Sequence, residues 1–165
     1  MSGQLQSLTD YLLRLTPQRI HGAFQSEIVD VQLVYSAKDL GAGRRRCGVA
    51  RQTIELSWYA YPYREYPPVL IYTLVMAWIE GYANALHDEL QLPAPSVDPS
   101  LDTEQQGRGD VTITLELAEE LVIEEHPQGE IELHGKRWTP VCQEVWTAET
   151  FEVVTSVKGG SDAQD

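Results

Sequence analysis

The sequence predicts an α+β fold, in which a mostly antiparallel sheet packs against one long central helix and an additional helix lies near the N-terminus. Several segments alternate apolar and polar residues with the period of two that half-buried strands show. One long apolar segment follows a Pro-Pro pair, a common start for a helix. The chain of 165 residues is long enough for one domain with a substantial core. We assign this domain to residues 1–156, with a flexible tail at 157–165.

The first predicted element is a short helix, which Ser7 can cap at its start and which Pro17 ends. Its apolar residues recur at a spacing of three and four and are Leu8, Tyr11, Leu12 and Leu15. This spacing places them on one side of the helix, so we expect an amphipathic helix with a single buried face that packs on the rest of the fold.

Two predicted strands follow the first helix. Residues 28–35 alternate, and the apolar side chains that share one face are Val29, Val31, Leu33 and Tyr35. Residues 53–58 alternate in the same way. The connection between them, residues 41–48, is rich in glycine and arginine. We therefore expect two antiparallel strands joined by a long loop that projects into solvent.

The central helix is predicted to begin at Pro67 and Pro68, since a proline in the first helical turn loses no hydrogen bond. One predicted face carries Val69, Leu70, Leu74, Ala77, Trp78, Gly81 and Ala85. An adjacent face carries Ile71, Val75, Tyr82 and Leu86. A helix that is apolar over so much of its circumference is typical of a buried element, so we expect it to lie across the sheet at the centre of the fold.

The second half of the chain is predicted to be mostly β-structure. Residues 92–109 are rich in proline and glycine and indicate a long exposed loop. Residues 111–117 show the clearest alternation in the chain. After a turn at 126–129, we expect residues 131–133 to pair back as a hairpin. The β-prone runs near the C-terminus are residues 145–147 and 151–157.

The charge and composition of the chain limit its possible ligands. Lys and Arg number 12 against 25 Asp and Glu, which gives a formal net charge of −13, so tight binding to a phosphate backbone is not expected. Cys47 and Cys142 lie far apart in sequence and indicate reduced thiols. There is no signal-peptide pattern, and the most apolar segment is shorter than the roughly 20 residues that span a bilayer. We expect a cytoplasmic protein that does not enter a membrane.

The sequence contains no motif that indicates catalysis or a cofactor, since GxSxG, GxxxxGK[ST] and GxGxxG are all absent. The best candidates for a metal site are Glu124, Glu125, His126 and His134, but neighbouring side chains in a hairpin point to opposite faces, which favours a solvated acidic turn. Cys142 with one of these histidines is the best nucleophile pair, yet such a cysteine is more often buried. We predict no catalytic residue, no cofactor and no metal.

Two clusters are candidates for an interface. The only strong positive cluster consists of Arg44, Arg45 and Arg46. In a projecting loop these side chains would contact an acidic neighbour, although keeping the loop soluble is an equally good explanation. The second cluster is an aromatic run made of Trp58, Tyr59, Tyr61, Tyr63 and Tyr66. Aromatic side chains anchor subunit interfaces and equally seal the end of a core, so both interpretations stay open.

Two stretches of the chain carry a resemblance to a known family. The first combines residues 52–56, QTIEL, with residues 70–79, LIYTLVMAWI. The second combines residues 109–117, GDVTITLEL, with EELV at 119–122 and the turn and strand at 128–133. In this order they resemble the tail completion protein R family of temperate contractile-tailed phages, a tail terminator-like family. The resemblance lies in the middle of the chain.

The resemblance implies a structural virion protein without enzymatic activity that is assembled in the host cytoplasm. Its subunits would form a ring, six by analogy with other tail terminators, that caps the tail tube and the sheath at the head-proximal end. The ring would offer a surface to a neck or connector protein. DNA would pass through its channel only as cargo, and an acidic wall would keep the genome from sticking.

Three other functions remain as alternatives. The first is a head-to-tail connector in the neck, which would use similar contacts at a different level of the particle. The second is an acidic inhibitor that mimics DNA, which would bind a nuclease or a repressor directly and would be absent from the particle. The third is a small enzyme, which would require a pocket with perturbed titratable groups.

Overall fold

A computed structural model describes residues 3–102 and 107–141 of the chain. In chain order the elements are helix α1 (Gln4–Leu15), a 3-10 helix (Gln18–Ala23), strands β1 (Phe24–Gly41) and β2 (Arg44–Pro62), helices α2 (Pro68–Tyr82) and α3 (Leu86–Glu89), and strands β3 (Ser96–Asp102), β4 (Arg108–Glu125), β5 (Ile131–Leu133) and β6 (Lys136–Pro140). The predictions for Cys142, for the two C-terminal β-prone runs and for the flexible tail lie outside the described residues.

All six strands belong to one antiparallel sheet. Five of them follow the order β1-β2-β4-β6-β5, and β3 pairs with β4 outside this order. Strands β2 and β4 pair along their whole length, from Arg44 opposite Glu124 to Pro62 opposite Arg108. Since β2 occupies one edge of β4, the other edge is shared by β3 and β6, which pair with its first half and its last residues. Strand β5 forms a hairpin with β6 rather than with β4. This arrangement makes β2 and β4 the centre of the sheet.

The main core lies on one face of this sheet, and a smaller cluster on the other face packs Val49 and Ala118 against Leu86 and Leu92. Strands β2 and β4 direct alternate side chains into the main core, namely Ile54, Leu56, Trp58, Val111, Ile113, Leu115 and Leu117. Helix α1 adds side chains spaced by three and four residues, which are Leu5, Leu8 and Leu12. The two helices are tied together where the indole nitrogen of Trp78 donates a hydrogen bond of 3.1 Å to the Ser7 hydroxyl. Ser7 thus lies inside α1 and contacts α2, rather than capping the helix.

The prediction of a sheet packed against one long central helix is wrong. Strands account for 51% of the structure, the sheet curls into a half-barrel, and the helices are short. Helix α2 begins where it was predicted, but its buried residues are only Ile71, Val75 and Trp78. A curled sheet fills much of its interior with its own side chains, so a helix closes only one side of it. Within the described residues, no helix is long and apolar enough to cross a membrane.

Two segments predicted as loops contain strand. Strands β1 and β2 meet at a tight turn in which Ala42 and Gly43 have φ angles of 52° and 75°, so Arg44 already begins β2. Residues 92–109 contain β3, which pairs with β4. In both cases pairing defines the strand, since Arg44 pairs with Gly41 and Glu124 and β3 pairs with β4, and local composition does not report that pairing.

Candidate interaction surfaces

Strand β1 contains a bulge that decides which of its side chains face the core. Before the bulge, Phe24 and Ser26 are buried on the core face, opposite residues of β2. Between Ile28 and Asp30 the pairing with β2 shifts by one residue. A shift of one residue exchanges the two faces of a strand. After the bulge, the side chains on the core face are therefore Val31, Leu33 and Tyr35.

These three side chains, which we call the open strip, are exposed although they lie on the core face. Leu33 is 73% exposed and Tyr35 is 88% exposed, whereas their partners on β2, Ala50 and Gly48, are buried. The core cluster reaches along β1 only as far as Ile28, so the open strip extends beyond the region that the helices cover. A row of exposed apolar side chains of this kind marks an interaction site.

The backbone of β1 is also available for contacts. Within the described residues, β1 has a strand neighbour on one side only, which is β2. Its 18 residues contain one lysine, Lys38, and no proline, and its pairing with β2 is interrupted at three places, so bulges rather than short length or proline are the main protection of this edge. The open strip and the unpaired edge therefore lie on the same strand, and together they suit the addition of another strand.

Helix α2 presents a second exposed apolar surface. The exposed fractions are 59% for Val69, 41% for Leu70 and 52% for Met76. The only charged residue in the helix is Glu80, near its C-terminal end. The apolar residues that predicted a helix buried on all sides therefore form two faces. One face is buried, and the outward apolar face is a candidate for contacts with another protein.

The prediction that the three arginines lie in a projecting loop is wrong, because all three belong to β2. Arg46 is only 5% exposed. Its guanidinium donates hydrogen bonds to the Ser36 carbonyl and hydroxyl, at 3.0 and 2.7 Å, and to the Glu120 carboxylate at 3.1 Å. It therefore links β1, β2 and β4. Arg44 is exposed and forms an ion pair of 3.3 Å with Glu124, and Arg45 is half-buried; a contact with a partner stays a prediction for these two.

The aromatic run is divided between core and surface. Trp58 and Tyr61 are buried, and their rings meet edge to face with centroids 6.5 Å apart. Tyr63 and Tyr66 pack against the same cluster, and burial raises the pKa of Tyr61. Tyr59 is 50% exposed. Four of the five side chains thus help to form the core, and an interface stays a prediction that depends mainly on Tyr59.

Part of the opposite face of the sheet is acidic, and the same face also carries the smaller cluster of Val49 and Ala118. Glu27 lies directly opposite Glu55 across β1 and β2, and pairing with Thr53 places both Asp30 and Glu116 on the same face. Like charges directly opposite each other are unfavourable in a sheet. Glu116 forms an ion pair with Arg51, which is also on this face. The cluster gives part of the large negative charge a definite location.

Glu119 is a buried carboxylate that the sequence pattern did not single out. Glu119 is 6% exposed, and its carboxylate accepts a hydrogen bond from the backbone N–H of Gln4, the first residue of α1. Burial raises the pKa of Glu119, and the hydrogen bond from Gln4 opposes this rise. The alternation of β4 predicts which face residue 119 occupies, but only the position of α1 shows that this face is covered.

The acidic and histidine residues considered for a metal site have other contacts. Glu124 pairs with Arg44, and Glu125 forms an ion pair of 3.0 Å with Lys136. His126 Nδ1 accepts a hydrogen bond of 3.1 Å from the backbone N–H of Gln128, within the turn. In the part of the chain that the structure describes, no group of three or more His, Cys, Asp or Glu side chains is arranged to hold a metal ion.

Comparison with known proteins agrees with the resemblance seen in the sequence. The family model described as P2 phage tail completion protein R (GpR) matches residues 3–142. A protein of Haemophilus phage HP1 (strain HP1c1), described as an uncharacterized 19.2 kDa protein in the rep-hol intergenic region, is 27% identical over 156 residues, which are 93% of this chain and 90% of that protein. No solved structure matches the chain. Since the family model spans most of its length, the chain belongs to the P2 phage tail completion protein R (GpR) family.

Proposed function

We propose that this chain completes the tail of a contractile-tailed phage as a ring that caps the tail tube and the sheath and offers a surface for joining the head. Membership of the family supports the role in tail assembly. The observation that carries the capping proposal is the open strip on the edge of β1 that has no strand neighbour among residues 3–102 and 107–141. A subunit that closes a ring needs an apolar surface left exposed in the single chain.

The two exposed apolar surfaces suit two kinds of contact. We assign the open strip of β1 to lateral contacts between neighbouring copies in a homohexamer, the number following the sixfold symmetry of such tails. We assign the outward face of α2, with Val69 and Met76, to the tail tube, the sheath or the neck. Arg44, at the turn end of the β1–β2 hairpin, is available to an acidic partner if its ion pair with Glu124 opens.

The acidic face of the sheet suits the wall of a DNA channel. Glu27, Glu55 and Asp30 would present negative charge to a passing genome, so that DNA does not adhere. Replacing Glu27 and Glu55 by lysine should slow DNA delivery from otherwise intact particles, with a stronger effect at low salt. Equal delivery rates for the variant and the natural protein would exclude this face as the channel wall.

The proposed role is tested by electron microscopy of particles from a phage in which the gene for this chain is silenced, beside a complemented control. A terminator predicts headless tails of irregular length together with filled heads that lack tails. Tails of uniform length that fail only to join heads would move the protein to the neck as a connector. Unaltered particles would overturn both roles and return the acidic inhibitor or the enzyme as the leading function.

A further inference from the structure

We propose that a cavity beside β4 binds a lysine side chain of a neighbouring protein in the tail, and that Glu119 binds the ammonium group of this lysine. The proposal rests on the proposed function, since the neighbouring protein is the one that the outward face of α2 is assigned to contact. Three features of the molecule support it: the position of the cavity, a buried carboxylate without a cation, and the charge of the whole chain.

The cavity lies along the edge of β4 that faces away from β2. On this edge β3 pairs with the first part of β4 and β6 pairs with its last residues, so among the described residues the stretch 115–122 has no strand partner. The Asn84 side chain donates a hydrogen bond of 2.8 Å to the Ala118 carbonyl in this stretch. The Val141 N–H donates one of 2.9 Å to the Val122 carbonyl. Asn84 and Val141 both line the cavity, which has a volume of about 500 Å³.

The cavity contains a buried carboxylate that lacks a counter-charge. Glu119 is 6% exposed and belongs to the cavity lining. Strand β4 has five glutamates. Four of them form an ion pair with an arginine or a lysine, namely Glu116, Glu120, Glu124 and Glu125. Among the described residues Glu119 has no such partner, although it is the most buried of the five. A buried charge without a counter-charge is unfavourable, and burial raises the pKa of Glu119. A bound cation would compensate this charge.

The contact between Glu119 and α1 does not account for the charge. One carboxylate oxygen, Oε2, accepts the hydrogen bond from the Gln4 N–H. An uncharged amide or hydroxyl oxygen also serves as an acceptor at the start of a helix. The other oxygen, Oε1, has no hydrogen-bond partner in the part of the chain that the structure describes. A single free oxygen suits the ammonium group of lysine, whereas the guanidinium group of arginine pairs best with both oxygens of a carboxylate.

The rest of the cavity suits the stem of a lysine. The apolar side chains of its lining are Leu40, Val122 and Val141. Walls of this kind pack against the methylene groups of lysine while the ammonium group reaches a carboxylate. The lining contains two other charged residues, and both are already paired. Arg44 forms its ion pair with Glu124, and Glu120 forms one of 3.1 Å with Arg46. Glu119 is therefore the carboxylate that is left for a ligand.

The charge of the chain favours a different protein as the source of the lysine. The formal net charge is −13, and the sequence contains three lysines, which are Lys38, Lys136 and Lys158. Two copies with this charge repel each other, whereas a partner with a basic surface is attracted. Tyr82, the last residue of α2, also lines the cavity. The cavity thus adjoins the helix whose outward face we assign to the tail tube, the sheath or the neck.

The first test is an NMR titration of the purified natural chain with n-butylammonium chloride, a probe that has the stem and the charge of a lysine side chain. We expect the largest changes in chemical shift at the backbone amides of Gln4 and Glu119. n-Butanol has the stem without the charge, and it should bind at least about tenfold more weakly, because hydrogen bonds to charged groups are stronger. Equal affinity for both probes, or no binding of n-butylammonium, would overturn the proposal.

Two variants test whether Glu119 is the residue that binds the probe. Glu119→Gln removes the charge and keeps an acceptor for the Gln4 N–H, and it should weaken binding of n-butylammonium at least about tenfold. Glu132→Gln is the matched control, since it removes one negative charge from the exposed hairpin of β5 and β6. This control should bind the probe as the natural chain does. A Glu119→Gln chain with unchanged affinity would contradict the role of Glu119.

Phage particles that carry the same two variants test the lysine contact. Glu119→Gln should lower the yield of completed tails at least about tenfold relative to Glu132→Gln, because the lysine of the partner is left without its counter-charge. A folding defect does not explain such a loss if urea unfolding shows Glu119→Gln to be at least as stable as the natural chain. Normal tails with Glu119→Gln would overturn the lysine contact while leaving the tail role intact. Unaltered particles after silencing of the gene would instead contradict the proposed function itself.

Discussion

The two halves of β1 both alternate, with their faces exchanged at the bulge between Ile28 and Asp30, but they have different surroundings. In the first half Phe24 is 8% exposed, whereas in the second half Leu33 is 73% exposed, although both side chains lie on the core face of the sheet. The core cluster, completed by the helices, ends between them at Ile28. Alternation therefore determines the face that a side chain occupies, and the elements packed above that face determine its burial.

The largest effect that this comparison predicts comes from a matched pair of leucines on the core face. Leu56 is fully buried and Leu33 is exposed. Leu56→Ala should lower the free energy of unfolding by about 2–5 kcal/mol, because it removes buried methyl groups and leaves a cavity. Leu33→Ala should change it by less than about 0.5 kcal/mol. Urea unfolding of the two purified variants beside the natural chain measures both values.

The same pair also tests whether the open strip is covered in the isolated chain. A loss of more than about 2 kcal/mol for Leu33→Ala would show that another element buries this side chain in solution, because exposed positions do not produce such losses. In that case the contrast between the two halves of β1, and with it the availability of the strip to a partner, would be contradicted. Circular dichroism spectra should be unchanged for Leu33→Ala.

Much of the fold was predictable because its elements have strong local patterns. Helix α1, the start of α2 and the alternation of β4 all follow from spacing in the sequence. The interpretation of residues 28–35 as a half-buried strand was right about the strand and wrong about burial. The interpretation of α2 failed for the same reason, since Val69 and Met76 are apolar and exposed. Burial depends on the reach of distant elements, which single-sequence patterns do not contain.

The candidate interface residues show a second limit of the sequence. Arg44 and Arg46 are the same residue type in the same strand, but Arg44 is exposed, whereas Arg46 is buried and its guanidinium bonds to both β1 and β4. Their difference arises from the long pairing of β1 with β2, which continues to the turn at Ala42 and Gly43. The aromatic run is divided in the same way, with Tyr61 buried and Tyr59 exposed. Long-range pairing, rather than residue type, separates structural side chains from those available to partners.

An intermediate effect is expected from these two arginines. Arg46→Met retains the length of the apolar stem but removes the hydrogen bonds to Ser36 and Glu120. It should lower the free energy of unfolding by about 1–3 kcal/mol, because it leaves the Ser36 carbonyl without that donor. Arg44→Met breaks only a surface ion pair and should cost less than about 0.5 kcal/mol. Urea unfolding at low and moderate salt measures both variants.

Arg44 and Arg46 are a matched pair because both residues lie in β2, two positions apart. Equal losses for the two variants would contradict the assignment of Arg46 as the link between strands. A variant of Arg44 that unfolds normally yet fails to support tail completion would be direct support for Arg44 as a contact residue. Arg46→Met cannot serve that purpose, since a folding defect would produce the same failure.

The smallest effect concerns carboxylates in covered and open positions. Burial raises the pKa of Glu119 above its ordinary value of 4.5, so the fold favours the protonated form. Its contribution to stability is therefore present at low pH and is lost as the pH rises through the raised pKa. Glu119→Gln stays neutral at every pH and keeps an acceptor for the Gln4 N–H. At neutral pH the variant should be more stable than the natural chain, by less than about 1 kcal/mol.

The sign of this effect is checked by its pH dependence. The advantage of Glu119→Gln should shrink as the pH falls from neutral towards the raised pKa of Glu119, because the natural chain then binds the proton that its fold favours. Lower pH values approach the pI of about 4.6, where loss of net charge promotes association. Glu80→Gln, on the exposed side of α2, is the control and should show no such trend. An advantage for Glu119→Gln that does not change as the pH falls would contradict the raised pKa of Glu119 and its burial beneath α1.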